Sequence, residues 1–246
     1  MTTAIDPTST LADLVTRHPD LASELEARCL DYCCGGQRTL AEACRARDLD
    51  PVVVAGELSE KASAATEPAA WTHLDAGSLV DHVERTHHAY LHAELPRITA
   101  LAARVHEVHG DSHPELAAVE STFGNLRDDL EPHLAKEERI LFPRIRQLAA
   151  VSGDASGSDP RTLQGPIAQM LREHDQAGAL LERLRHLTGG YAVPADGCAS
   201  YAAFYEALRT LEADTHLHVH IENNRLFPMV AGLESAADAT SVGIQR

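Results

Sequence analysis

HLAKEERILFP, residues 133–143, and HVHIENNRLFP, residues 218–228, share one pattern, H-x-x-x-E-x-x-x-L-F-P. The i, i+4 spacing puts each histidine and its glutamate on one face of a helix, a turn apart, so both side chains point at the same spot. That face is apolar in both cases. Around the first pair the stripe reads Leu126, Leu130, His133, Glu137, Leu141 and Leu148; around the second it reads Leu208, Leu211, His218, Glu222, Leu226 and Met229. A carboxylate buried without a partner is costly, so two such pairs in apolar surroundings need a cation or a dense hydrogen-bond network.

Two further helical patterns each carry a histidine on their own stripe. One holds Ile167, Met170, Leu171, His174, Leu181 and Leu184; the other holds Val80, Val83, His88 or His87, Leu91 and Leu95. The four helices are expected over about 78–108, 114–149, 161–187 and 194–230, with bends at Pro96 and Pro132. Asp111 and Ser112 are candidate caps for the second, 151–160 reads as a loop, and Gly189-Gly190 stops the third. No strand-like alternation interrupts the pattern. The fold class is therefore all-α, an up-down four-helix bundle over 76–233. A small helical domain over 1–58 precedes it, with Ser9 and Thr10 as candidate caps and Gly35-Gly36 as a tight turn. Residues 59–75 read as a linker and 234–246 as a frayed tail. Four histidines and two carboxylates converging in a bundle can hold two metal ions, and a ligand set of nitrogen and oxygen suits iron or manganese better than structural zinc.

Composition narrows the function. Lys and Arg number 21 against 37 Asp and Glu, a formal charge of −16, which argues against a nucleic-acid partner. No apolar run reaches the ~20 residues of a membrane span, and MTTAIDPTST has neither the basic nor the apolar region of a signal peptide. The five cysteines, Cys29, Cys33, Cys34, Cys44 and Cys198, are odd in number and are expected as reduced thiols in the cytoplasm. Most other histidines read as solvated: His216 and His220 lie off the stripe of His218, and His82, His92, His106, His109 and His113 read as surface residues. Glu173, beside His174, and Asp129, one turn before His133, are acids placed to orient ligands or relay protons. Each is as readily an ordinary solvated acid. Cys29 stands one helical turn before Cys33 if the helix persists, and the Gly-Gly that follows Cys34 would leave backbone N–H groups open to a thiolate.

DYCCGG (31–36), HLAKEERILFP, REHDQAG (172–178) and HVHIENNRLFP together resemble the repair of iron centres family. Its members are di-iron proteins with an N-terminal cysteine domain and a hemerythrin-like bundle, linked to repair of iron–sulfur clusters after nitric oxide or oxidative damage. The resemblance spans the chain from about Leu11 to about Val230. It implies His88, His133, Glu137, His174, His218 and Glu222 as iron ligands, choosing His88 over His87, with the two glutamates bridging. It implies two non-haem iron ions cycling between Fe2+ and Fe3+, with oxo or hydroxo bridges as well as carboxylates. Cys33 and Cys34 take a thiol role, Glu173 stands behind the ligands, and Asp129 matches less well. The implied partners are damaged iron–sulfur proteins, with NO or O2 as small ligand, no nucleic acid and no membrane; a homodimer is a compatible assembly. The competing reading is a hemerythrin-like module that binds or senses O2, NO or iron without repair, for which the cysteine domain has no use.

Overall fold

Thr10 opens α1 (Leu11–Arg17) by accepting the Asp13 N–H on its hydroxyl, the ordinary work of an N-cap threonine. The computed structural model describes residues 4–62, 69–151 and 162–243. It divides into two compact units, one of Met1–Leu79 with His216–Arg246, the other of Val80–Thr215. Among the described residues, extended pairing is confined to the bridge of Thr10 with Thr39.

In the first unit, a 3-10 turn at Pro19–Leu21 leads from α1 into α2 (Ala22–Ala27). Thr39 and Glu42 form a reciprocal capping box at the start of α3 (Leu40–Arg45). Asp50 caps α4 (Pro51–Lys61), whose first residue is a proline that has no N–H to lose there. These short helices could not persist alone; their apolar faces meet in one core of Leu11, Leu14, Val15, Leu21, Leu25, Tyr32, Leu40 and Leu58. Val219, from the far end of the sequence, joins that core. Two expectations need correction. Within the stretch read as a linker, α4 runs to Lys61 and Trp71 is buried on a 3-10 helix, Ala70–His73. Where a frayed tail was expected, α11 (Phe227–Gly243) continues. The part of the expected linker at 63–68 and the expected loop beyond residue 151 lie outside the described residues.

The second unit holds the bundle core. α5 (Ala76–Val83) passes through a π turn, Glu84–His88, into α6 (Ala89–His109). α7 (Glu115–Lys136) passes through a π turn, Glu137–Leu141, into α8 (Phe142–Val151). α9 (Gln164–Leu187) and α10 (Ala199–Ile221) as far as Thr215 complete the set; the rest of α10 and a third π turn, Glu222–Leu226, which joins it to α11, belong to the first unit. Leu95 and Ile98 from α6, Phe123 and Leu126 from α7, Leu181 and Leu184 from α9, and Phe204 and Leu211 from α10 pack together. His88 reaches Glu138 just past the end of α7, while His106 reaches Glu120 near its start, so α6 and α7 run antiparallel. Gly189 and Gly190 stop α9 with φ of +58° and +76°, a conformation that glycine adopts without the Cβ penalty. Asp111 and Ser112 do not cap α7; its N-cap is Pro114, with no side-chain bond.

Candidate metal centre

Each π turn coincides with an expected ligand. The wide turns close with i→i−5 bonds: Ala89 N–H to Glu84 O, Phe142 N–H to Glu137 O, and Phe227 N–H to Glu222 O. The trailing proline explains two of them. Pro143 and Pro228 have no N–H, and in a regular α-helix their rings would clash with the carbonyls of Arg139 and Asn224. Widening the turn removes the clash, and π turns of this kind occur frequently at functional sites. No proline follows the first π turn; there the widening brings both His87 and His88 into the interior.

Within the second unit, His88, His133, Glu137 and His174 come together, all buried. Glu137 is 0% exposed, and its Oε2 lies 3.4 Å from His88 Nε2 and 3.3 Å from His133 Nε2. His174 Nε2 lies 3.2 Å from His133 Nε2. One carboxylate oxygen thus faces imidazoles from two helices. The outer nitrogens are held by acids. His133 Nδ1 meets Glu173 Oε2 at 2.9 Å, and His88 Nδ1 meets Glu138 Oε1 at 3.0 Å. Donation from each Nδ1–H to its carboxylate leaves Nε2 with a lone pair aimed inward, the tautomer a metal ligand needs. Separations of 3.2–3.4 Å are those of donors that stand about 2.1 Å from a shared ion. Burial works against the charge of Glu173, but bonds from Lys136, Gln169 and His133 outweigh it and hold the carboxyl down at about 2. Glu138 is likewise kept below the ordinary carboxylate range, burial being outweighed by His92 and His88.

Within the first unit, His218 Nε2 and Glu222 Oε1 are 3.2 Å apart and fully buried. The same helical stretch carries the cysteine loop. Asn224 Nδ2 donates to Cys33 O at 3.0 Å, Asn223 Nδ2 reaches it at 3.4 Å, and Gln37 Nε2 donates to Asn224 Oδ1 at 3.1 Å. His220 is 0% exposed, which corrects the solvated reading. Burial holds its pKa at about 4, so the ring is neutral: Nδ1–H donates to Tyr32 O at 3.3 Å, and Nε2 accepts from the Thr16 hydroxyl at 3.2 Å. Asp31 accepts the N–H groups of Cys33, Cys34 and Gly35, so of the Gly-Gly pair expected to leave its N–H groups open to a thiolate, that of Gly35 is already taken. Cys33 is buried, and its contact with the Cys34 sulfur, its burial and the Asp31 carboxylate push its thiol well above the ordinary range. Cys34 is the more accessible of the two. Cys29 is exposed with φ +53°, two residues past the end of α2, so the helical turn that would pair it with Cys33 does not form.

Sequence reasoning missed Glu138, which the widened turn directs toward His88. It also missed the buried bond of His87 Nδ1 to Asp214 at 2.9 Å. Asp129, read either as an acid behind the ligands or as an ordinary solvated one, is exposed. His109, expected at the surface, meets Cys198 Sγ through Nε2 at 3.2 Å. That bond, with N–H groups at the start of α10, pulls the exposed Cys198 thiol down to about 7. Iodoacetamide should therefore alkylate Cys198 with a rate midpoint near pH 7, and His109→Ala should move the midpoint toward the usual thiol range. An unchanged profile in the variant would show that the imidazole does not activate the thiol.

The hemerythrin HHE cation binding domain family matches residues 79–230, and a Domain of Unknown function (DUF542) matches residues 7–62. The iron-sulfur cluster repair protein YtfE of Escherichia coli O157:H7 is 34% identical over 218 residues, covering 89% of this chain and 94% of that protein. The protein of the same name from Enterobacter sp. (strain 638) matches to the same extent. The chain belongs to the repair of iron centres family. A cation-binding domain and buried His/Glu clusters agree that this member of the repair of iron centres family fits metal binding, and nitrogen and oxygen donors suit iron. No described helix is long and apolar enough to cross a membrane. Glu173→Gln should weaken metal affinity about 10–100-fold by loosening His133. Competition with a chelator measures this, and wild-type affinity in the variant would show that Glu173 merely solvates Lys136.

Proposed function

We propose that this chain is a non-haem di-iron protein of the cytoplasm that restores iron–sulfur clusters damaged by nitric oxide or oxidative stress. The observation that supports it most is Glu137, a fully buried carboxylate facing His88 and His133 inside a cation-binding domain. The repair activity is carried over from relatives named for it, which match nearly the whole chain, cysteine domain included. His88, His133, Glu137, His174, His218 and Glu222 would together hold two ions, the two glutamates supplying the negative charge. Two lines support joining the sets found in separate units: the family match runs unbroken from 79 to 230, and the H-x-x-x-E-x-x-x-L-F-P pattern repeats at both positions.

Iron held there supplies one-electron exchange and a coordination position for NO or O2. The protein's own part is orientation and exclusion of water. Glu173 and Glu138 keep the Nδ1 protons of His133 and His88, so that each Nε2 stays available. Phe142 stacks against His88 with ring centroids 5.3 Å apart and closes that side to solvent. Cys34 is the thiol placed to meet a client, with Cys33 behind it as a buried, protonated partner. The test is recovery of an NO-treated [4Fe–4S] hydro-lyase in the presence of the iron-loaded chain. Recovery with wild type and none with Cys33→Ser/Cys34→Ser supports the reading. Equal recovery with and without the chain would leave a binding or sensing module in its place.

A further inference from the structure

The cysteine loop and the Glu222 turn share one set of hydrogen bonds. Asn224 lies inside the π turn that begins at Glu222, and His220 lies two residues before it. Between them they grip two consecutive carbonyls of the motif. His220 Nδ1 takes Tyr32 O, and Asn224 Nδ2 takes Cys33 O at 3.0 Å with a longer reach to Tyr32 O at 3.5 Å. Their own placement is fixed from behind. Thr16 holds His220 Nε2, Gln37 holds Asn224 Oδ1, and the rings of Tyr32 and Trp71 pack edge-on against His220 with centroids 5.6 Å and 5.8 Å away. Gly36 passes so close that a Cβ there would stand 2.9 Å from Asn224 Oδ1.

We propose that Asn224 and His220 are positioning residues that make the exposure of Cys33 and Cys34 depend on whether metal is bound at Glu222. The proposal rests on the reading of Glu222 as a ligand. Its physical basis is the shortness of the path. A π turn is a short, wide element within a helix, and drawing the Glu222 carboxylate onto an ion shifts the turn in which Asn224 sits. The Cys33 carbonyl follows because its bond to Asn224 is the shortest link between the two. Coupling of this kind is reciprocal: if metal protects the thiols, a modified thiol weakens metal binding by the same factor.

N-ethylmaleimide labelling of Cys33 and Cys34, resolved by peptide mass spectrometry, tests this on the full chain. Labelling rates are compared for apo-protein and for protein loaded anaerobically with ferrous iron. In wild type, loading should change the Cys34 rate by about fivefold or more. In Asn224→Leu, which removes both polar atoms at similar volume, the two rates should become equal at unchanged iron content. A purely structural role would alter the apo and loaded rates by the same factor and leave their ratio alone. Gln37→Ala, at an exposed position, serves where Asn224→Leu does not fold, and should bring the ratio closer to one. Iron-loaded wild type with equal rates, or variants that keep the wild-type ratio, would overturn the proposal. Absence of iron uptake by wild type would instead sink the ligand reading, and the iron content reports that separately.

Discussion

Glu137→Gln is expected to empty the metal centre, leaving less than about a tenth of the roughly two irons per chain expected of a di-iron bundle. The carboxylate is 0% exposed and meets His88 and His133 through a single oxygen. A neutral amide of the same shape fills the space but supplies no negative charge at a fully buried position. Because the shape is kept, the variant should fold and show the helical content of wild type. The stability that metal gives is where the two should part. Iron-loaded wild type should lose up to about 4 kcal/mol when a chelator strips an ion held at a thousand times its dissociation constant, whereas Glu137→Gln should melt identically with and without chelator. Metal analysis and thermal melts decide the matter, and a variant that keeps both irons would remove Glu137 from the ligand set.

The second large effect is expected at Gly36. Its φ is not positive; what demands glycine is close approach. An added Cβ would lie 2.5 Å from Tyr32 O, 2.9 Å from Asn224 Oδ1 and 3.0 Å from the Ala12 Cβ. The first neighbour is backbone and cannot swing aside, and the Gly36 carbonyl is itself tied to Ala12 N–H. Gly36→Ala should therefore cost about 1–3 kcal/mol, as overpacking commonly does, and unfold the first unit several degrees earlier. Proteolysis near the cysteine loop should accelerate before the bundle melts. Gly35→Ala, which meets its own Asp31 at 3.0 Å, should be milder. Equal stability of Gly36→Ala and wild type would show that the loop can lift from Asn224 at little cost.

The bundle was legible because burial and periodicity agree along most of each helix. Leu126, Leu130, His133 and Glu137 are buried as the stripe predicts. The prediction drifts past each wide turn. Leu148 and Met229 were placed on the stripe and are only half-buried, while Phe142 with Ile145, and Phe227 with Val230, take the interior. A period of 3.6 residues has no way to register five residues spent on one turn. Leu171, 38% exposed, fails for another reason: the stripe of α9 narrows there, and the small Ala177 completes it. Of the site, the six ligand candidates could be read from spacing and resemblance. Glu138 and His220 could not, because what makes them matter is a partner distant in sequence: His88 in one case, Tyr32 and Thr16 in the other. Trp71 was lost in a stretch whose small and polar residues masked one large apolar anchor.

The wide turns can also be viewed as insertions. Each one spends an additional residue, and everything after it is offset by one place, as a reading frame is offset by one base. Deleting Arg139 would let the helix wind regularly from His133 onward and recover ordinary i→i−4 bonding. It would also return the Pro143 ring to a collision with the carbonyl behind it, while Phe142, one residue nearer and one offset fewer, would keep its bearing toward His88. The regular bonding and the proline clash are the same event. A single residue gained or lost beside Glu137 or Glu222 is therefore absorbed by the turn and not by the helix beyond it, and the proline that follows holds the turn wide.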